Sequence, residues 1–260
     1  MKEKLLTIPL YLTLAIFIVP VLILFYLSGI NGILAAFSSW GFVESLALTF
    51  LAAVAATALN AILGTPVAYS LARKLLKWES SAYDLLLSPI SIPHTVVGIM
   101  LLITFSPISP IYFITKYMNP VNTFFGMVLA MFFVSAPIYI MAMKEYFERM
   151  DQVHELFAMS LGNDRLTTFM KVVLPMSYGS IMRVSMISLG RALSEFGSLI
   201  ILTYTVTLAP LFRFVSPATV YIWYNYETYG LLPALRYSSA MLLISMLLTL
   251  FLYFISKRAE

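Results

Sequence analysis

Apolar residues run unbroken over long distances in this chain, and charges gather between the runs. After Lys2, Glu3 and Lys4, no charged side chain occurs from Leu5 to Val43, and Leu46 to Ala72 is again uncharged. Runs of about 20 apolar residues are what a helix needs to cross the hydrocarbon layer. These two predict helices over about 5–28 and 45–72, the first ending near Ser28-Gly29 in a polar turn around Asn31-Gly32. The second carries Ala52, Ala53, Ala55, Ala56, Ala58, Ala61 and Gly64, small enough to let neighbouring helices approach closely. Leu85 to Thr115 is uncharged but punctuated by Pro89, Pro93, Pro107 and Pro110. It predicts a helix over about 85–105, kinked near its start, then an irregular outer segment. Further helices are expected over about 121–143, with Pro137 inside, over 178–205 and over 237–256. A mixed loop over 206–235 holds Pro210, Pro217 and Pro233. There is no strand alternation of the kind a membrane barrel shows, and no short repeat. The expectation is a single all-α membrane domain over 1–260 with about six transmembrane helices.

Composition agrees. Apolar residues are 61% of the chain and charged residues only 11%, against roughly 25% charged in a soluble domain. Lipid must be the solvent. There are no cysteines, which excludes a disulfide framework, thiolate metal sites and a Cys nucleophile. The first apolar run is too long for a signal peptide and no small-residue cleavage site follows it. The net charge of +4 is a topology signal, not a nucleic-acid footprint. With the N-terminus inside, the inner segments hold Lys2, Lys4, Arg73, Lys74, Lys77, Lys144, Arg149, Arg165, Lys171, Lys257 and Arg258. The outer segments hold only Lys116, Arg213 and Arg236. That bias puts both termini of a multi-pass protein on the cytoplasmic side of the cell membrane. Trp40, Tyr112, Tyr117, Trp223, Tyr224 and Tyr226, near the outer ends, fit an interfacial aromatic belt.

The stretch over 144–171 is charged and patterned. Asp151 is an N-cap, and Val153, Leu156, Phe157 and Leu161 follow at helical spacing. Gly162 suits the left-handed conformation that stops a short helix. Asn163 or Asp164 caps a second helix carrying Leu166, Phe169, Met170 and Val173, and Leu174-Pro175 ends it. The pattern predicts a helix–turn–helix elbow over 151–175 on the cytoplasmic side. Acidic and basic residues are balanced there, unlike a lipid-surface helix, which is dominated by Lys and Arg. An apolar face between mixed charges suits docking into a groove on a soluble protein. The plainer alternative is a connecting loop packed beneath its own bundle.

The run from Ala158 to Pro175, A-M-S-L-G-N-D-R-L-T-T-F-M-K-V-V-L-P, resembles the cytoplasmic coupling loop of ABC importer permeases. That loop reads Glu-Ala-Ala, three residues, Gly, nine residues, an aliphatic residue, one residue, Leu-Pro. Gly162, Val172, Leu174 and Pro175 match without a gap; Leu156 and Phe157 stand where the family has Glu and the first Ala. Glu155 lies one residue early, so no acidic contact is carried over to it. The resemblance implies that Leu156, Phe157, Ala158, Gly162, Asn163, Asp164, Leu174 and Pro175 seat in a cleft of an ATPase subunit. Three further strings, Gly64 to Arg73, Pro89 to Gly98 and Gly190 to Gly197, are similar to the sulfate and molybdate/tungstate branch of these permeases. Ile-Pro-His-Thr-Val-Val-Gly and Ser-Glu-Phe-Gly lean toward molybdate/tungstate, with sulfate or thiosulfate the alternative.

Arg191 and Glu195 are four apart inside a span, so they share a helical face and pair with each other or a neighbour. The pair has two readings: a structural strut orienting its helix, or, with the hydroxyls of Ser194 and Ser135, the border of a translocation path or gate. His94, at the start of the third helix, reads first as a structural histidine and second as a pH sensor or ATPase contact. His154-Glu155 opens a zinc-protease string, but position 158 is Ala where the second His is needed. A membrane enzyme needs paired catalytic groups at membrane depth, and only Glu195 is an acid well inside a span. An ion-coupled carrier leaves the elbow without a purpose. The chain has no Gly-x-x-x-x-Gly-Lys-Ser/Thr string, so it is not itself a P-loop ATPase. The resemblance therefore implies a non-enzymatic permease subunit that binds no cofactor. Its partners are a second copy of itself, two cytoplasmic ABC ATPases that use the ATP, an external oxyanion-binding protein and the bilayer, with no nucleic acid.

Overall fold

The computed structural model describes residues 2–115 and 118–258. Lys116 and Tyr117, placed above among the outer charges and the aromatic belt, lie outside the described residues. Four of the described helices are long and apolar enough to cross a membrane, and two bent helix pairs raise the number to six when each is one span.

The first helix, α1 (Lys2–Ser38), breaks only at Gly29, whose φ of 59° and ψ of 172° are not helical. The chain does not turn at Asn31-Gly32; it resumes its helix and runs ten residues past the expected end. Gly32 serves close approach instead: a Cβ there would lie 2.7 Å from Ser28 Oγ and 3.4 Å from Arg236 Cγ of the last helix. The second span is α2 (Trp40–Leu59), a π-helical turn at Asn60–Gly64, and α3 (Thr65–Ala72). Pro66 explains the wide turn: it has no N–H and its ring clashes with the carbonyl four residues back, which a π-bulge relieves. Ala52, Ala53 and Ala56 are fully buried against the bundle. Gly64 meets the ring of Tyr139, 2.7 Å from where its Cβ would be.

The third expected helix is a correction. Instead of one kinked helix over 85–105, α4 (Glu79–Leu87) and a 3₁₀ turn at Ser88–Ile90 meet α5 (His94–Thr104) at 109°. Pro89 and Pro93 remove two donors within five residues, and no helical ladder crosses that gap. Beyond it lie turns and the short α6 (Tyr112–Thr115). Next, α7 (Phe124–Arg149) is capped by Thr123, whose Oγ1 accepts from Gly126 N at 3.2 Å. It passes Pro137 and continues six residues beyond the expected 143. The apolar run marked membrane depth, not the helix end, and the Lys144–Glu148 and Arg149–Glu145 pairs carry the last turns.

The elbow region forms α8 (Val153–Ser160), α9 (Arg165–Thr168), a π turn at Phe169–Val173 and α10 (Leu174–Met176). The Arg165–Met176 stretch meets α11 (Tyr178–Leu193) at 74°. Helix 178–205 is not continuous: α11 stops, and α12 (Gly197–Leu202) starts afresh. The expected loop over 206–235 holds an antiparallel hairpin, β1 (Val206–Leu208) with β2 (Phe212–Val215), and α13 (Ala218–Tyr229). Those seven strand residues are too few for periodicity to reveal. Gly230, at φ 84°, ends α13, and α14 (Leu231–Arg258) begins six residues before the expected 237. Pro233 lies in its first turn, where no donor is needed.

The core has two main clusters. One joins Leu48, Ala52, Ala53 and Ala56 of α2 to Val97 and Leu101 of α5, Met127 and Met131 of α7, and Leu199 and Leu202 of α12. The other gathers Tyr69, Tyr139, Met143, Phe147, Phe169 and Val173 near the elbow. Apolar side chains of α1 such as Tyr11, Phe17 and Tyr26 remain exposed, as lipid contact requires. Where α5 crosses α12, a Cβ on Gly98 would stand 2.9 Å from both Ser198 O and Ile201 Cβ. Backbone cannot give way there, so Gly98→Val forces the helices apart and lowers stability by about 1–3 kcal/mol. Gly190→Ala, with nothing within 4 Å of its Cβ, is the control. Thermal unfolding in detergent, followed by tryptophan fluorescence, compares the two; equal midpoints refute the close packing.

Candidate functional site

Two places collect unusual side chains. The first is the elbow. Asp151 accepts from Val153 N at 3.0 Å and opens α8. Gly162, at φ 92°, ends it, while Asn163 donates from its backbone N and its Nδ2 to Ala158 O at 3.3 and 3.0 Å. Asp164 caps α9 by accepting from Thr167 N at 3.2 Å. Hydrogen bonds from the Thr167 side chain and then its backbone hold the Asp164 carboxyl below its ordinary value. A lowered value in the folded state means the cap acts in full above the ordinary carboxylate range and fades as the pH falls through the lowered one.

One face of the elbow is closed and the other open. Glu155, Ala158, Thr168, Phe169 and Val173 are buried. Leu156, Phe157, Leu161, Leu166 and Met170 are 52–69% exposed; Asn163, Asp164 and Pro175 are also exposed, and Leu174 is half-buried. Five large apolar side chains thus stand on α8, α9 and the turns that follow them, beyond the charged last turn of α7.

What holds this orientation is Glu155, to which the motif spacing assigns no contact. Its carboxylate is 2% exposed and pairs with Arg73, 3% exposed, at the end of α3. Arg73 Nε donates to both carboxylate oxygens at 3.1 and 3.2 Å, and Tyr69 Oη donates to Oε2 at 2.9 Å. The remaining fork of Arg73 reaches Phe147 O of α7 at 2.6 Å. Three helices therefore converge on one ion pair. A signal existed in the sequence: Ala158 lies three residues after Glu155, and that small residue marks the inward face of α8.

The second place is the break between α11 and α12. Glu195 is fully buried. Its Oε1 accepts from Ser198 N and Ser198 Oγ, both at 2.8 Å, which starts α12 anew. Its Oε2 lies 3.3 Å from Arg191 Nη2 and 3.1 Å from His94 Nδ1, the first residue of α5. Arg191 Nη2 is 2.7 Å from His94 Nε2, and Nη1 donates to Ser194 Oγ at 3.1 Å. Arg191, Ser194 and Glu195 are thus brought together, and His94 joins them. Ser135 is not with them. It is fully buried on α7, where Asn60 Nδ2 of the π turn donates to its Oγ, and to Ser188 Oγ, both at 2.7 Å. Among the described residues no three His, Asp or Glu side chains converge to hold a metal.

Residues 64–260 match the family of binding-protein-dependent transport system inner membrane components. The chain belongs to that family. This permease is 34% identical over 189 residues to a molybdate/tungstate transport system permease protein of Thermococcus kodakarensis, covering 73% of this chain and 68% of the relative. Its likeness to the protein of the same description in Pyrococcus furiosus is 32% over 218 residues, covering 84% and 80%. A bacterial ABC transporter solved for alginate import shares the fold at a TM-score of 0.67 and 16% identity, covering 98% of this chain and 95% of that one. The break points match the permease's own resembling strings: α3 spans the first, α5 opens within the second, and Glu195 lies in the third.

Glu155→Gln leaves the Arg73 guanidinium buried with one partner short, a loss of about 3–5 kcal/mol for a broken buried pair. We expect the elbow to loosen and limited proteolysis to cut at 151–175 at least tenfold faster. Exchanging the charges with Arg73→Glu and Glu155→Arg restores part of the protection. Unchanged cleavage in Glu155→Gln rules out the tether.

Proposed function

We propose that two copies of this permease form the pathway of an ATP-driven importer for a tetrahedral oxyanion, molybdate or tungstate. Two ATPase subunits dock on the two elbows, and an external binding protein delivers the anion. The relatives above are described as molybdate/tungstate permeases, which supports the substrate class. Sulfate is the second reading, favoured by 30% identity over 228 residues to a probable sulfate transport permease of Marchantia polymorpha.

The observation that carries the docking is the open face of the elbow. Exposed Leu156 and Phe157 on α8, and Leu166 and Met170 beyond Gly162, form an apolar wedge rimmed by Asp164 and Arg165. Such a wedge suits a groove on a soluble partner. Lys and Arg counts support a cytoplasmic position for this end and for both termini. ATP is bound and hydrolysed by the partner, whose closure moves the elbow. α11 starts at the elbow's 74° bend and is well placed to line the shared path, with Arg191, Ser194 and Glu195 at its far end.

Phe157→Ala removes an anchor that such an interface buries, costing about 2 kcal/mol, or roughly thirtyfold in Kd for the ATPase. Gly162→Asp strains a left-handed residue and lowers ATPase retention on co-purification further. Vesicles holding the complete complex take up labelled molybdate or tungstate only with ATP. If no tetrahedral oxyanion enters, the assignment is wrong.

A further inference from the structure

We infer that Arg191 is a transient station for the transported oxyanion, and that buried Glu195 is a built-in counterion that keeps the station from becoming a trap. This rests on the transport reading above. It starts from the surface of α11. Arg183, Ile187, Gly190, Arg191 and Ser194 are all exposed or half-buried, and at 3.6 residues per turn they fall within roughly 100° of arc. A stripe that carries two arginines does not face acyl chains, because ionisable groups in membrane helices face a water-filled cavity or another chain.

The guanidinium is held from behind, and the Arg191 side chain is 21% exposed. Behind, its Nη2 meets Glu195 Oε2 at 3.3 Å and His94 Nε2 at 2.7 Å. In front, its Nη1 reaches Ser194 Oγ at 3.1 Å. Exposed Ser194 borders an open, mostly apolar cavity of about 490 Å³ between α11, α13 and α14, which Thr219, Ser238, Ser245 and Thr249 also line; the hydroxyls of Thr219, Ser245 and Thr249 donate to backbone carbonyls. A planar guanidinium fork matches a tetrahedral oxyanion, and a dianion competes for it against a single carboxylate charge.

The carboxylate stays where it is. Glu195 Oε1 is fixed by Ser198 N and Oγ, both at 2.8 Å, two bonds that do not involve Arg191. When the guanidinium turns toward a passing dianion, the negative charge behind remains to recapture it, and the anion is released. His94 bridges the pair: its Nδ1 lies 3.1 Å from Glu195 Oε2, and Arg191 Nη2 lies 3.0 Å from Nδ1 and 2.7 Å from Nε2. At rest the guanidinium faces the carboxylate across 3.3 Å. Removing the carboxylate leaves a permanent cation without its counter-charge, and an anion there binds more tightly and leaves more slowly.

The experiment uses the reconstituted complex with its ATPase and binding protein, and labelled molybdate as the probe. Glu195→Gln keeps an acceptor for Ser198 N. It is expected to retain at least tenfold more molybdate per permease dimer, while uptake falls at least tenfold. Adding Arg191→Gln to it abolishes the retention. An assembled Glu195→Gln complex that retains no more molybdate than the parent overturns the inference, as does retention that survives the double substitution. Should Glu195→Gln fail to assemble, Arg191→Gln alone decides: uptake lost at unchanged ATPase co-purification supports the station, and unchanged uptake overturns it. Uptake by the unaltered complex is measured in parallel. Uptake without retention in Glu195→Gln defeats this inference alone, whereas no uptake of any tetrahedral oxyanion defeats the transport reading beneath it.

Discussion

The ion pair between Arg73 and Glu155 fixes more of this molecule than any other single contact. Two charges this well buried are not a source of net stability, because desolvation takes back most of what the Coulomb attraction contributes. They specify geometry instead. Arg73 satisfies its fork only when the ends of α3, α7 and α8 stand together, with Phe147 O accepting from Nη1 and Tyr69 Oη donating to the carboxylate. Successive helical residues are about 100° apart, so turning Glu155 inward turns Leu156 and Phe157 outward. The open face of the elbow follows from the closed one.

The same rule, that each polar group must find a partner when water is absent, governs the irregular backbone. Both π turns lie just before a proline, Asn60–Gly64 before Pro66 and Phe169–Val173 before Pro175. Each widens the helix where the proline ring would strike a carbonyl. Asn60, freed at the first of these turns, reaches Ser135 and Ser188 and ties the second span to α7 and α11. The α11–α12 break is likewise closed by a side chain, since Glu195 takes the Ser198 N–H that a continuous helix would have bonded.

Much of this was legible in the residues, and what was not has physical causes. Charge-free runs located the spans because hydrocarbon tolerates few charges, and Gly162 located the turn of the elbow because its conformation excludes most side chains. Helix ends were less readable. Hydropathy reports membrane depth, whereas α7 continues past Met143 on charge pairs and α1 continues past Gly29 because one residue absorbs the whole deviation. The 109° bend at Pro89 and Pro93 was visible as two prolines but not as an angle. The family pattern hid Glu155, since motif spacing put the acid one residue away, and only the phase of α8 shows that it points inward. Likewise, His94 lies 101 residues before Glu195 in the sequence, and no local pattern joins them; packing of α5 on α12 through Gly98 and Gly197 does.

These parts form a mechanical sequence. α11 is sixteen residues long, about 24 Å at 1.5 Å per residue. It begins beside the π turn that carries Phe169 and Val173 and ends at Arg191 and the Glu195 break. A rod held at one end by the elbow cannot shift there without shifting at the other, provided that nothing along it bends. Pro175 precedes it and Gly190 follows near its end, but no proline lies between Tyr178 and Leu193. At the far end, Glu195 belongs to the turn that starts α12, and α12 is clamped to α5 by backbone contact at Gly98 and Gly197. Movement of α11 relative to α12 is therefore taken up at Ser194, Glu195 and Phe196, where the guanidinium, the imidazole and the carboxylate meet.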